Sequence, residues 1–321
     1  MASQTTPVFI GIDICQARLD ICIEEGSGTQ AIENTRTAIR GWLARLPQGE
    51  ICVACEATGR YHQTLVDEVQ RAGHTVYLID GYRLSRYRDS LGVRAKTDAS
   101  DARLLRRYLR SEHEQLRAYT PAPAEVVRIR QLLRRRAVLV RVRVTLQQSM
   151  ADLPLIRSGV RRVLEQIDRI EAAIQKQIIK LIELSGWAED YRRCLALEGV
   201  GPLTSAALSN TFHHGRFASA DAFIAYLGLD IRVRESGTSR GRGKLTKKGD
   251  PETRRLLHNA AMSAARSSIW KPFYQAHLAR GFTKTQALVV LARKLARVAF
   301  SIMKNGSTYQ PQHASNACAQ T

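Results

Sequence analysis

Residues 8–14 read Val8-Phe9-Ile10-Gly11-Ile12-Asp13-Ile14, an almost unbroken apolar run holding one glycine and one carboxylate. Such a run fits a strand covered on both faces. An aspartate inside it is costly, because a carboxylate taken out of water without a partner is strongly destabilising. Something must compensate Asp13, and a divalent cation would. A turn at Cys15 to Arg18 leads into a second run, Leu19 to Glu24, so a hairpin is predicted. Helical spacing near Thr37 to Leu46 precedes a buried-looking strand, Ile51 to Cys55. Then come a helix from about Tyr61 to Ala72, a strand Thr75 to Ile79 and a helix from about Asp98 to Arg110. A hairpin followed by alternating strands and helices predicts an α/β domain with a mixed sheet.

Pro121 and Pro123 close that domain. From Val126 to Met150 there is neither glycine nor proline, and Val126, Ile129, Leu133, Val140 and Val144 recur at helical spacing. A long helix is therefore predicted, with Arg128, Arg130, Arg134, Arg135, Arg136, Arg141 and Arg143 crowding its other faces. After Pro154, the residues Val163, Ile167, Ile170, Ile174, Gln177, Leu181 and Leu184 alternate four and three apart, the seam of a coiled coil. That seam serves either oligomerisation, the preferred reading, or a hairpin within one chain. A third region starts near Tyr191. Its Gly199-Val200-Gly201 stretch is either a plain turn or a helix-hairpin-helix-like element whose amides meet a phosphate. Helices are expected near Glu252 to Ser267 and Thr283 to Met303, and the polar tail from Asn305 is expected to be disordered.

Composition sets the partner class. Of 321 residues, 49 are Lys or Arg against 29 Asp or Glu, a net charge of +20. A clustered excess of this size is a footprint of polyanion binding. At 44% apolar residues the chain can build real cores, and its length suits two or three domains of roughly 100–200 residues. No apolar run has membrane-spanning length and Met1 to Pro7 has no secretory pattern, so a cytoplasmic protein without a membrane partner is expected. The six cysteines are scattered, which suits a reducing compartment, and the Cys52/Cys55 pair is read as strand packing.

Chemistry is carried by acids and one loop. Glu56 stands just after the strand Ile51 to Cys55, while Asp98 and Asp101, three apart at a helix start, share one face. Taken singly, Asp98 also reads as a helix cap and Glu56 as a surface strand end; Asp20 and Asp80 are read as structural. Together Asp13, Glu56, Asp98 and Asp101 can converge on a hard cation such as Mg²⁺ or Mn²⁺, and metal ions there would serve phosphoryl transfer. The loop from Arg232 to Arg255 holds four glycines and a dense set of cations that includes Arg234, Arg240, Arg242, Lys244, Lys247 and Lys248. Glycines let backbone approach a ligand closely and the cations favour a phosphate. Chemistry alone does not choose among its hydroxyls Ser236, Thr238, Ser239 and Thr246.

Five motifs, in order along nearly the whole chain, resemble the insertion-sequence-110 family of transposases and the related Piv-type DNA invertases. They are Phe-Ile-Gly-Ile-Asp13, Cys-Glu56-Ala-Thr-Gly, Lys-Thr-Asp98-Ala-Ser-Asp101-Ala-Arg, Gly-Val-Gly-Pro-Leu-Thr-Ser at 199 to 205, and Arg-Glu-Ser236-Gly-Thr-Ser-Arg-Gly. The resemblance implies an α/β plus α architecture: a RuvC-like domain of RNase H fold over 1–120 and a basic helix with a coiled coil over 121–186. A mostly helical transposase domain with the helix-hairpin-helix-like segment follows over 187–304, before the tail at 305–321. It implies a DEDD tetrad at Asp13, Glu56, Asp98 and Asp101 with Mg²⁺ or Mn²⁺, and Ser236 as nucleophile. Donor and target DNA, a noncoding bridge RNA, a dimer or tetramer, and activity at the bacterial nucleoid follow as expected partners and setting. The rival readings are a RuvC-like junction nuclease that uses water, a protein-only Piv-type invertase, a non-enzymatic nucleic-acid binder, and a sugar-kinase-like fold that the charge disfavours.

Overall fold

The computed structural model describes residues 7–24, 28–57, 59, 61–92, 97–232 and 243–311, with the backbone of Glu235, Ser236, Ser239 and Arg240. The chain forms two compact units, Met1–Pro121 and Ala122–Thr321.

The first unit is built on five strands: β1 (Val8–Ile14), β2 (Arg18–Cys22), β3 (Gln30–Glu33), β4 (Ile51–Glu56) and β5 (Thr75–Ile79), in the order β3-β2-β1-β4-β5. β1, β2 and β3 pair antiparallel, while β4 and β5 run parallel to β1. The expected hairpin and mixed sheet are therefore present. Four helices flank them: α1 (Arg36–Leu43), α2 (His62–Arg71), α3 (Gly81–Ser90) and α4 (Asp98–Glu112). Strand residues alternate between faces, so Ile10, Ile12, Val53 and Cys55 pack with Ile39, Trp42 and Leu65 of α1 and α2. Cys52 and Ala54 pack instead with Leu105 and Leu109 of α4. The two cysteines of the pair thus lie on opposite faces; both are buried, and burial pushes the Cys55 thiol up to about 12.

Gly11 explains how α4 comes so close: a side chain there would collide with the Ala102 carbonyl and the Arg106 amide. β3 and α3 escape sequence periodicity because β3 is a mostly exposed edge and α3 buries only Leu84.

The second unit begins with the expected long helix, α5 (Ala124–Ser149), followed by α6 (Arg157–Leu184), α7 (Ala188–Leu195), α8 (Pro202–His214) and α9 (Ala220–Tyr226). Two short ribbons follow: β6 (Ile231–Arg232) pairs with β9 (Lys244–Leu245), and β7 (Glu235–Ser236) with β8 (Ser239–Arg240). Helices α10 (Pro251–Ala264), α11 (Lys271–Ala279) and α12 (Lys284–Asn305) complete it. Phe223, Leu257, Trp270, Leu291 and Leu295 anchor its core.

The helix pair α5 and α6 departs from its sequence reading. Val126, Ile129 and Leu133 are buried, but Val144 is exposed, so the apolar face of α5 is covered only over its first half. On α6 the buried stripe is Ile167, Glu171, Ile178 and Ile182. The heptad positions Val163, Ile170 and Leu184 are exposed, as is Gln177. Packing within the chain therefore follows a different stripe from the predicted seam: Ile178 and Ile182 pack with Ile129 and Leu133 of α5, and Arg136 and Arg143 reach Glu171 on the same side. The described start of the tail also differs from a free segment: the Tyr309 hydroxyl donates to Glu198 Oε2 at 2.6 Å, beside the indole N–H of Trp270 at 3.3 Å. Among the described residues no helix is long and apolar enough to cross a membrane.

Candidate active site

The alternation that builds the sheet also aims its acids. Gly11 faces α4, so Asp13, two residues on, faces the same way. Cys52 and Ala54 face α4 too, and Glu56 is next in that series on the neighbouring parallel strand. Helix α4 starts over this end of the sheet. Thr97, not Asp98, is its cap: the Thr97 side chain accepts from the Ser100 amide and the Ser100 hydroxyl accepts from the Thr97 amide. Asp98 and Asp101 are thereby free of capping and stand in the first turn.

An oxygen of Asp13, an oxygen of Asp98 and the Cys15 sulfur lie within 4.8 Å of one another. Burial, then the charges of Asp101 and Asp98, raise the Asp13 carboxyl to about 6. Asp20, opposite Asp13 across β1 and β2, adds to the same effect. The structure thus brings Asp13, Asp98 and Asp101 together. Glu56 shares their face but leans over the start of α3, where any side chain in place of Gly81 would strike its carboxylate. Asp80 caps α3, accepting from the Arg83 amide at 3.1 Å.

Two arginines hold the acids in place. Arg18 donates to Asp20 at 3.0 Å and to Asp98 at 3.2 Å, and Arg88 donates to Asp101 at 2.6 Å. Sequence reasoning missed Arg18, Arg88 and Cys15. Arg18 sits two residues before Asp20 on one strand, a legible signal; Arg88 lies on the polar helix that periodicity did not reveal. Among the described residues, Asp13, Asp20, Glu56, Asp98 and Asp101 outnumber the guanidiniums of Arg18 and Arg88 that pair with them. This surplus of hard oxygen donors fits a divalent cation such as Mg²⁺ or Mn²⁺. Cys15 adds one softer donor.

In the second unit the arginines of α5 separate into two groups. Arg130 donates to the Tyr226 hydroxyl at 3.2 Å, and Arg134 to Asp250 at 2.9 Å. Arg136 pairs with Glu171 at 2.9 Å, and Arg143 with Glu171 and with Asp168 at 2.7 Å. Arg128, Arg135 and Arg141 are exposed and have no partner among the described residues. Arg134, Arg135 and Arg141 line one side of a groove whose other side is the start of α10, at Asp250 and Pro251. His214, half-buried near Arg130, is held down at about 4, first by burial and then by that guanidinium.

Gly199 takes a left-handed conformation (φ +83°), and a side chain there would collide with Ala260 and Ala264 of α10. That glycine serves packing. Gly201, with open space around it, starts α8 beside a cavity of about 370 Å³ lined also by Arg136, Arg143 and Arg255. Ser236 pairs through its backbone with Ser239. The side chains of Ser236 and Arg240, together with Arg234 and Arg242, lie outside the described residues. Lys244, Lys247 and Lys248 are exposed on the returning limb. Lys247 is the one left-handed residue other than glycine among the described residues (φ +56°).

Two family models match the chain, the first running past Pro121 into the second unit. A family model described as "Transposase", of the DEDD-type IS110 group, matches residues 10–153. A second, "Transposase IS116/IS110/IS902 family", matches residues 191–275. The chain is 25% identical to the pilin gene-inverting protein of Moraxella lacunata, over 94% of this chain and 97% of that protein. It is 25% identical to a probable family 20 transposase of Pseudomonas aeruginosa, over 86% of this chain and 90% of that one. An insertion element IS110 protein of Streptomyces coelicolor is 29% identical over 49% of this chain and 38% of its own length.

Proposed function

Because the chain belongs to the insertion-sequence-110 family of transposases, we propose that it cuts and rejoins DNA at a metal site formed by Asp13, Glu56, Asp98 and Asp101, with Ser236 as the nucleophile. The observation that carries this reading is the gathering of Asp13, Asp98 and Asp101 at one end of the sheet, on the face to which Glu56 also belongs. The strand order β3-β2-β1-β4-β5 supports a RuvC-like domain.

A divalent cation bound by the four carboxylates would lower the cost of charge on the attacking and leaving oxygens. The chain's own residues do the rest. Arg18 and Arg88 keep Asp98 and Asp101 oriented, so little reorganisation is needed when charge develops. The Ser236 hydroxyl forms a bond to phosphorus as the bond to the 3′ oxygen breaks, giving a transient phosphoserine. The free 3′ end later attacks a phosphoserine holding another strand and releases the serine. Several strands must be cut together, which requires a dimer or tetramer, and the exposed Val163 and Ile170 edge of α6 supports a coiled coil between copies. A bridge RNA would read donor and target by pairing while the protein holds backbone shape. Arg128, Arg135 and Arg141, with Lys244 and Lys247, are the cations best placed to hold phosphates.

A second reading is favoured by the Moraxella relatives, whose name refers to gene inversion and which are matched over nearly their whole length: the same chemistry used to invert a segment without a guide. Sequencing of RNA that co-purifies with the protein separates the two, since a defined transcript from the element's own noncoding end supports the guided mode. The chemistry is tested on a denaturing gel. Ser236→Ala should abolish the covalent protein–DNA adduct while binding persists; an undiminished adduct removes Ser236 from the reaction, and cutting without any adduct in the unmodified protein points to hydrolysis by water.

A further inference from the structure

The face of the sheet opposite α4 carries a second charged cluster. Glu68 of α2 is only 2% exposed, covered by three guanidiniums from α1 and α2. Arg40 forks onto both its oxygens, Nε at 2.6 Å and Nη2 at 3.3 Å. Arg71 donates to Oε1, and Arg36 stands 3.8 Å away. These contacts hold the Glu68 carboxyl down at about 2, mainly through the hydrogen bonds from Arg40 and Arg71.

Pinning α1 to α2 requires one arginine, and three are present. One negative charge lies beneath three positive ones, and the side chains of Arg36, Arg40 and Arg71 remain 64%, 59% and 55% exposed. Arg40, Arg71 and His74 border a shallow depression of about 400 Å³ with Glu68 at its floor. A buried carboxylate that holds Arg40 and Arg71 while leaving N–H groups outward is a preorganised anion receptor, because those two arginines have lost rotamer freedom before any ligand arrives, and Arg36 adds a nearby mobile charge. The acids of the opposite face cannot neutralise it, since the sheet intervenes.

We propose that the Arg36–Arg40–Arg71 cluster is a contact for the phosphodiester backbone of duplex DNA, away from the strand being cut. The inference rests on the reading of DNA as substrate, but not on the chemistry at Ser236. DNA is preferred as occupant because the family's reaction supplies it and because the surplus charge is complementary to a polyanion. Helix α2 carries Glu68 roughly 9 Å from its start near the Glu56 end of the sheet.

The test is the salt dependence of binding by the full-length protein to a duplex and, separately, to single-stranded RNA. Arg36→Gln with Arg71→Gln leaves the Arg40–Glu68 fork in place. It should lower the slope of log affinity against log salt by about 2 for the duplex, near 0.9 for each phosphate no longer neutralised, with a lower melting temperature from the lost Arg71–Glu68 hydrogen bond. Arg36→Gln alone, at the most exposed of the three, should lower the slope by about 1 and leave the melting temperature unchanged. Glu68→Gln should lower the melting temperature while leaving the slope undiminished, which a purely structural clamp would not separate. An unchanged duplex slope in both arginine variants overturns the proposal, as does a loss confined to RNA. If the unmodified protein binds no DNA at all, the reading of its function fails instead.

Discussion

The sheet end of the first unit and the helices of the second handle charge in opposite ways. In the first, among the described residues, carboxylates outnumber the cations at the sheet end, and burial followed by the charges of Asp101 and Asp98 raises Asp13 to about 6. In the second, many arginines are drawn onto acids such as the buried Glu171 and the half-buried Asp250, and Arg128, Arg135 and Arg141 lie at the surface. The first arrangement stores electrostatic tension that a bound cation would relieve; the second uses cations to lock helices and leaves a minority exposed. A high count of arginines is therefore a poor map of a binding surface, whereas crowding of a few acids is a good map of a metal site.

The sharpest way to break this comparison is Asp13→Asn. DNA cutting should fall by more than about 100-fold, beyond the usual cost of losing even an outer partner of a metal. Yet the metal-free protein should melt higher at neutral pH. The sign follows because a raised folded pKa means that the charged form destabilises the fold, and Asn removes that charge. A lower melting temperature would show that Asp13 is compensated without metal.

Gly11→Ala should cost about 3 kcal/mol in urea unfolding, since α4 must move away from the sheet. The same shift should weaken metal binding measured by calorimetry; unchanged metal affinity would detach α4 from the site. In the second unit, Arg136→Gln should cost about 2 kcal/mol of stability, the scale of a hydrogen bond to a charged group, with little change in the salt dependence of binding. Arg135→Gln should do the reverse, leaving stability alone and lowering the salt slope by about 1. Equal effects from the two would erase the distinction between engaged and free arginines.

The smallest effect is the response to acid, read by hydrogen exchange resolved along the chain. His214 has a depressed pKa of about 4 against an ordinary 6.5, so its stabilisation is complete above 6.5 and is lost as pH falls from 6.5 through 4. Glu68, held at about 2 against 4.5, keeps its contribution until pH falls below 4.5. Peptides around α8 and α9 should therefore lose protection before those of α1 and α2. His214→Leu should remove the early loss, and simultaneous opening of both regions would show that another group controls it.

What the sequence determined by itself is whatever depends on near neighbours. The apolar runs Val8 to Ile14 and Ile51 to Cys55 were enough to mark two strands carrying Asp13 and Glu56, while the register of β1 with β4 put those two acids on one face. The three-residue step from Asp98 to Asp101 does the same on a helix, and the lengths of α5 and α12 follow from runs without breakers. The polar strand β3, the helix α3 with its Arg88, the stripe that α6 buries, the partners of Arg136 and Arg143, and the three arginines over Glu68 were decided only by the tertiary structure. Each depends on which distant segment comes alongside. A charged side chain takes its partner from that neighbour, not from its own periodicity, and a segment with little apolar surface is ordered by the sheet or helix it meets.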